Sequence, residues 1–390
     1  MSNVIGTDTT PKSFPSVKST DRPKIALFLS YLGGGGAERV NLNLAQGAID
    51  RGFAVDLVLG KAWGPHLPKV PPNVRVVDLN AGRTLAMLPA LVNYLKRERP
   101  AALLSAMHYA NEIAILAKFL AGGSTRILVS EHNTVSKSFP NLRGAKRFAI
   151  PFAVRYLYPL ADEVVTVSRG AADALAKASG LDRVRVVYNP VITPEMRDLA
   201  REPLEHPWFQ PGEPPVFLGV GKLETQKDFP NLIRAFAKVR QQKPCRLGIL
   251  GWGPDRSQLE TLISELDLAR DAALLGYADN PYVYMSRSIS FVLSSAWEGL
   301  PTVLIEALAL GIPVISTDCP SGPSEILNSG QYGTLVPVGD SDALAKAMLD
   351  VLDGNRKSAP SQWLDRFTND SAVEAYLQLM KLSPTPKPLQ

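Results

Sequence analysis

Two glutamates, Glu298 and Glu306, stand eight positions apart in SSAWEGLPTVLIEALALGIPVISTDCP, residues 294–320. Apolar runs on either side, Phe291–Ser295 and Pro313–Thr317, predict buried strands. Gly299, Leu300 and Pro301 predict a tight turn. The apolar run from Thr302 predicts a helix, with Pro301 suited to its first turn and Gly311 to the position just past its end. Glu298 then lies in the turn and Glu306 about one turn along the helix. Such a helix start offers unpaired N–H groups and partial positive charge to a phosphate. Gly299 lets backbone approach a ligand. A turn carboxylate can meet sugar hydroxyls, and a helix carboxylate can take the vicinal hydroxyls of a ribose. The ligand this describes is a nucleoside diphosphate carrying a sugar. The same spacing also fits a capping Glu298 and a solvated Glu306.

Other chemistry-bearing positions fall at predicted strand ends. Gly33–Gly36 follows the first apolar run, and its N–H groups can reach a phosphate or a transferred sugar. The third glycine of a dinucleotide fingerprint is missing: Glu38 or Arg39 stands there. Hydride transfer from a nicotinamide cofactor is therefore disfavoured. Lys222 and Lys227, five apart in GVGKLETQKD, place two cations beside the helix Pro230–Arg240. That suits a departing diphosphate, though surface lysines can also be merely solvated. Gly251 lies in LGWGPD and a further loop in GYADNP, both weak alone. His132 follows the run Ile127–Ser130, with His108 as the competing cleft histidine and the structural role of a lone histidine still open. Asp340-Ser341-Asp342 resembles a metal motif, but helix capping explains it.

The elements that must position these residues alternate. Strands are predicted at Lys24–Ser30, Ala54–Leu59, Val74–Asp78, Leu103–Met107, Ile127–Ser130, Glu163–Ser168 and Val184–Tyr188, with helical patterns between them. A second series runs Val216–Val220, Arg246–Leu250, Ala272–Leu275, Ile289–Ser294, Pro313–Thr317 and Gly333–Pro337. Near-continuous apolar strands alternating with helices predict an α/β fold of two Rossmann-like, doubly wound parallel-sheet domains facing across a cleft. The expected divisions are a disordered tail at 1–22, a first domain at 23–190, a proline-rich crossing at 191–213 and a second domain at 214–360. A C-terminal helical stretch, Trp363–Leu382, falls within 361–382 and is a candidate to return to the first domain; a second disordered tail follows at 383–390.

Apolar residues make up 45% of the 390 and charged residues 20%, as in globular proteins. No run is long enough to span a bilayer. Cys245 and Cys319 offer neither a disulfide framework nor a metal spacing, which fits a reducing cytoplasm. Of 42 Lys+Arg and 37 Asp+Glu, residues 1–190 hold 24 and 13, leaving 18 and 24 for the remainder. A basic first half suits an anionic partner. Nucleic acid is disfavoured, since zinc spacing and RNA-binding signatures are absent.

Taken together, GGGGAERV at 33–40, EHN at 131–133, YNPV at 188–191, GVGKLETQKDFPNLIRAF at 219–236, LGWGPDRSQLE at 250–260 and EGLPTVLIEALALGIPVISTD at 298–318 resemble the retaining glycosyltransferases of family 4. The resemblance covers about Lys24 to Leu382 and implies the GT-B fold. It implies that Glu298 contacts the donor sugar, Glu306 the ribose and Lys227 the diphosphate. Backbone amides at Leu300, Thr302 and Val303 join the diphosphate contact, Pro301 having none to give. Gly35, Gly36 and Gly251 border the donor. Lys222 departs from the family's usual arginine and loses its bidentate fork. His132 matches the family's cleft histidine, read as a positioning and electrostatic group.

The resemblance further implies retention of the anomeric configuration, with no metal or other cofactor and with a donor phosphate oxygen taking the acceptor's proton. The expected partners are a nucleotide-sugar donor, UDP-linked for preference, and a surface polysaccharide, lipopolysaccharide core or lipid-linked glycan acceptor. A sugar-nucleotide 2-epimerase and a catalytically silent donor-binding partner are the alternatives. Lys137–Tyr158 combines Lys137, Arg143, Lys146, Arg147 and Arg155 with aromatic and aliphatic residues. It fits either a solvated helix or a peripheral contact with an anionic membrane. The expected location is the cytoplasm, with a peripheral place on the inner membrane's cytoplasmic face as the alternative.

Overall fold

The computed structural model describes residues 22–33, 35–82, 86–132 and 146–383, with side chains in the last segment from residue 152. The terminal stretches 1–21 and 384–390, expected to be tails, lie outside the described residues. So do Lys137 and Arg143 of the basic segment.

Seven strands form the first sheet: β1 (Lys24–Leu29), β2 (Ala54–Leu59), β3 (Arg75–Asp78), β4 (Ala102–Ala106), β5 (Arg126–Glu131), β6 (Glu163–Thr166) and β7 (Arg185–Val186). Their order is β3-β2-β1-β4-β5-β6-β7. Six more form the second: β8 (Val216–Val220), β9 (Arg246–Leu250), β10 (Ala272–Gly276), β11 (Ser290–Leu293), β12 (Val314–Thr317) and β13 (Thr334–Val336). Their order is β10-β9-β8-β11-β12-β13. Every pairing between these strands is parallel. Parallel sheets carry helices on both faces, so side chains of either parity are buried. In β1, Leu27 packs with Leu44 and Ala48 of the helix Gly36–Asp50. Its neighbour Phe28 packs on the other face with Leu91 and Ile113. In the second sheet Phe217 and Leu247 face Leu232 and Phe236, while Leu218 and Phe291 face Leu304 and Leu308.

Strand order reverses between β1 and β4 and again between β8 and β11. The chain leaves neighbouring strands in opposite directions there, and a crevice opens beyond their C-terminal ends. The glycine loop follows β1, His108 follows β4, the lysine loop follows β8 and Glu298 follows β11. Topology therefore delivers these expected features to the two switch points.

Two chain passages join the domains side by side. The N–H groups of Val191 and Ile192 both donate to the Phe367 carbonyl at 3.0 Å. Beyond it the helix Asn369–Met380 packs on Gly36–Asp50, so the last helix belongs to the first domain's core. The continuous helix expected over Trp363–Leu382 is instead broken. A short helix, Ser361–Leu364, leads into a 3₁₀ turn, Asp365–Phe367, before the chain restarts at Asn369. The break serves the crossing: Phe367 is fully buried, and extended Thr368 caps the new helix by accepting from the Ser371 amide at 3.3 Å.

Candidate functional site

The helix Thr302–Ala309 carries Glu306. Pro301 stands as its extended N-cap rather than in its first turn, and Gly311 follows its end at φ 77°. Leu304, Ile305, Ala307 and Leu308 are all buried, so this short helix is covered nearly all round. Glu306 is 3% exposed, which removes the solvated reading. Its Oε1 lies 3.3 Å from the Tyr282 hydroxyl and 3.4 Å from Nη1 of Arg39. Its Oε2 is buried without a hydrogen-bond partner among the described residues. Burial pushes this carboxyl above the usual range, while Arg39 and Tyr282 pull it back.

Glu298 does not cap the helix. Its Oε1 receives Lys227 Nζ at 2.6 Å and Ser295 Oγ at 2.7 Å, and Gln226 Nε2 stands 3.4 Å from Oε2. The Ser294 hydroxyl donates to the Lys227 carbonyl at 2.7 Å and the Ala296 amide to the Gln226 carbonyl at 2.9 Å. These bonds tie the loop after β8 to the turn after β11 across the switch point. Lys222, in the same loop, is half-exposed, pairs with Glu224 at 2.9 Å and lies 6.0 Å from the Trp252 ring centroid. Lys227 is thus the more buried lysine of the two and Lys222 the rim one.

Gly251 sits at φ 145°, and a Cβ there would come within 1.8 Å of the Gly221 carbonyl oxygen. The close approach of two strand-end loops, rather than a ligand, is enough to require glycine. Leu300 is buried, and Thr302 and Val303 open the helix with amides that have no intrahelical acceptor. Gly36, from the first domain, faces this helix start directly: a Cβ on it would lie 3.5 Å from Thr302 Oγ1. Gly35 is the N-cap of Gly36–Asp50. The glycine turn and the glutamate helix therefore meet end to end across the cleft.

On the first domain's side, His132 follows β5, with Nε2 3.4 Å from Ser130 Oγ. Burial pushes its pKa down to about 4, so the ring is neutral at pH 7. His108 is the opposite case. Its Nδ1 lies 3.3 Å from Glu131 and 3.3 Å from the Tyr158 hydroxyl, and its Nε2 3.1 Å from Glu112. Burial opposes its charge, but the two carboxylates outweigh it and hold the pKa up to about 9. Asn111 Nδ2 donates to Glu131 at 3.2 Å, and Tyr158 donates to the same carboxylate.

Sequence reasoning missed Arg39 and Tyr282 as partners of Glu306. Arg39 lies one turn beyond Gly36 on a helix that starts at the cleft, a signal present in GGGGAER but unused once the glycines had been read. Tyr282 lies just past the GYADNP loop, and nothing local marks it. The Asp340 side chain accepts from the Asp342 and Ala343 amides at 3.0 and 2.9 Å, as a cap does.

Comparison with known proteins places this geometry. Residues 34–194 match the model described as Glycosyltransferase Family 4, and residues 201–363 match Glycosyl transferases group 1. A Campylobacter jejuni relative, named N-acetylgalactosamine-N,N'-diacetylbacillosaminyl-diphospho-undecaprenol 4-alpha-N-acetylgalactosaminyltransferase, is 28% identical over 85% of this chain and 91% of its own. The lipopolysaccharide core biosynthesis glycosyltransferase LpsE of Rhizobium meliloti is 24% identical over 90% and 97%. Anabaena HepE, solved in complex with UDP and glucose, superposes with a TM-score of 0.72 at 18% identity, covering 92% of this chain and 100% of that one. With both halves matched to the two halves of one architecture, this chain belongs to the family 4 glycosyltransferases of GT-B fold.

Proposed function

We propose that this enzyme is a retaining, metal-independent glycosyltransferase that moves a hexose or N-acetylhexosamine from a UDP-sugar to a glycan acceptor of surface polysaccharide, lipopolysaccharide core or lipid-linked type. The observation that carries the reading is the buried Glu306 with one unpartnered oxygen, on a helix whose start faces Gly36 and adjoins the Lys227–Glu298 pair. The ribose hydroxyls donate to Glu306. The diphosphate takes the helix-start amides of Thr302 and Val303, the glycine turn and Lys227. Glu298 then exchanges part of its contact with Lys227 for hydroxyls of the donor sugar. As the glycosidic bond breaks, negative charge grows on the diphosphate. Fixed amides and a lysine can stabilise it without reorganising. His132, neutral at working pH, accepts or donates a hydrogen bond to the donor sugar rather than supplying charge.

The relatives' names support the acceptor class, and HepE's bound UDP supports the nucleotide. Among the described residues no helix is long and apolar enough to cross a membrane. The helix Lys146–Leu157 exposes Phe152, Arg155 and Tyr156, with the two rings 4.5 Å apart. This basic and aromatic face suits peripheral contact with anionic lipid, through which a lipid-linked acceptor would arrive.

Thermal unfolding against UDP-, GDP- and ADP-sugars, each with and without EDTA, tests the reading. A ligand bound only by the folded state raises the midpoint. The expected result is a UDP-sugar shift that EDTA leaves in place and Glu306→Ala removes. No shift with any of them in folded protein, or a shift that EDTA abolishes, counts against it.

A further inference from the structure

We propose that Arg39 is a nucleotide-positioning residue delivered across the cleft: its guanidinium keeps the buried Glu306 carboxylate ionised and turned to accept both ribose hydroxyls. The inference rests on the reading of Glu306 as the ribose acceptor.

Arg39 belongs to the first domain and Glu306 to the second. Nη1 of Arg39 lies 3.4 Å from Glu306 Oε1, and its guanidinium carbon lies 5.4 Å from the Tyr282 ring centroid. Tyr282 thus holds the guanidinium by its face and the carboxylate by its hydroxyl, 3.3 Å from the same Oε1. At 3.4 Å the arginine contact is too long for a strong N–H···O bond and acts mainly through charge. Oε1 thus has two long contacts that a hydroxyl can displace, and Oε2 has no partner among the described residues.

Charge is what such a site needs. An ionised carboxylate accepts at both oxygens, while a protonated one becomes a donor and loses an acceptor position. Burial alone favours the protonated form. Arg39 is the cation facing this carboxylate, and it reaches the group only when the two domains stand at this separation. Nucleotide affinity is thereby coupled to cleft geometry.

The other titratable groups around the pair do not replace Arg39. Tyr282 is neutral, burial having pushed its hydroxyl up. Tyr277 and His66 face Arg39, and His66 is pushed down by burial, Lys69 and Arg39. Lys69 is engaged with Asp279 at 3.3 Å.

The test is calorimetric titration of the full chain with UDP, GDP and ADP between pH 5.5 and 8.5, comparing wild type, Arg39→Gln, Arg39→Lys and Glu306→Ala. The phosphates' own titration is common to all four. In Arg39→Gln the pH below which affinity falls should move up. The variant then loses more affinity relative to wild type at pH 5.5 than at pH 8.5. Arg39→Lys should recover most of that shift. A loss equal at every pH, or no loss, overturns the inference while leaving the ribose reading intact, provided Glu306→Ala weakens binding. Wild-type affinity in Glu306→Ala overturns both. Adding His66→Gln to Arg39→Gln should leave the shifted profile in place; if it restores the wild-type profile, the titrating group is His66 and the inference fails.

Discussion

Glu298 and Lys227 form a 2.6 Å ion pair with side chains 7% and 15% exposed. Removing one member of a buried pair costs about 3–5 kcal/mol, because the other charge loses its compensation, whereas removing both costs less. Lys227→Met is therefore expected to lower stability by a few kcal/mol, with Ser295 and Gln226 retaining part of the carboxylate's contacts. Lys227→Met/Glu298→Gln should recover stability but not transfer activity. Denaturant titration of wild type, Lys227→Met, Glu298→Gln and the double variant checks this, and strict additivity would show that the pair is not coupled. His108 gives a pH signature of the same kind. Its folded pKa, about 9, lies above the ordinary value of about 6.5. The stabilisation from its proton is thus fully present below about pH 6.5 and is lost as pH rises through 9, amounting to at most about 3 kcal/mol. The melting temperature of wild type should fall more steeply than that of His108→Gln between pH 7 and 9.5. Parallel curves would mean that the imidazolium is not held by Glu112 and Glu131. These residue-scale partnerships were only partly legible. The glutamate spacing was visible in the chain, but Arg39 and Glu306 are 267 positions apart, and only the packing of the two domains against each other brings them together.

Elements were more legible than contacts, because continuous apolar runs between turn residues leave a parallel strand few alternatives. Ala54–Leu59, Val216–Val220 and Arg246–Leu250 have the expected bounds, and the other strands differ by one or two residues at their ends. The C-terminal helix was misread for a physical reason. Its apolar pattern continues through Phe367, but that ring is committed to the crossing between domains, so the helix must stop and restart at Thr368. The restarted helix meets Gly36–Asp50 at Gly47, where an added Cβ would lie 2.5 Å from Val373 Cγ2 and 2.9 Å from Asn369 Nδ2. Two effects then oppose each other in Gly47→Ala. Helix propensity favours alanine by about 1 kcal/mol, while overpacking costs about 1–3 kcal/mol. The substitution is expected to be neutral to destabilising by about 2 kcal/mol, and Val373→Ala should cost less in the Gly47→Ala background than alone. A double-mutant cycle by urea unfolding measures this. Additive costs would mean that the two helices do not touch there.

At the scale of the whole molecule, the order of the chain and the order of the domains disagree. The last helix follows the second domain but buries Val373, Tyr376, Leu377 and Met380 in the first, beside Leu44 and Ala48. Burying each large apolar side chain is worth about 1.5–3 kcal/mol, so these four and Ala372 form a strap whose loss falls on the first domain. A chain ending at residue 368, which keeps Trp363, Leu364 and Phe367 in the second domain's core, should therefore be destabilised unevenly. Amides of β1 and β2 are expected to lose hydrogen-exchange protection, because their covering helix has lost its own cover. Amides of β8 and β9, packed under Leu232, Phe236 and Met348, should keep theirs. If nucleotide binding needs only the second domain, it survives this truncation. If Arg39 contributes from the first domain as argued above, affinity falls even though the β8 and β9 amides remain protected. Equal protection of both sheets in the truncated chain would show that the strap is not part of the first domain's core.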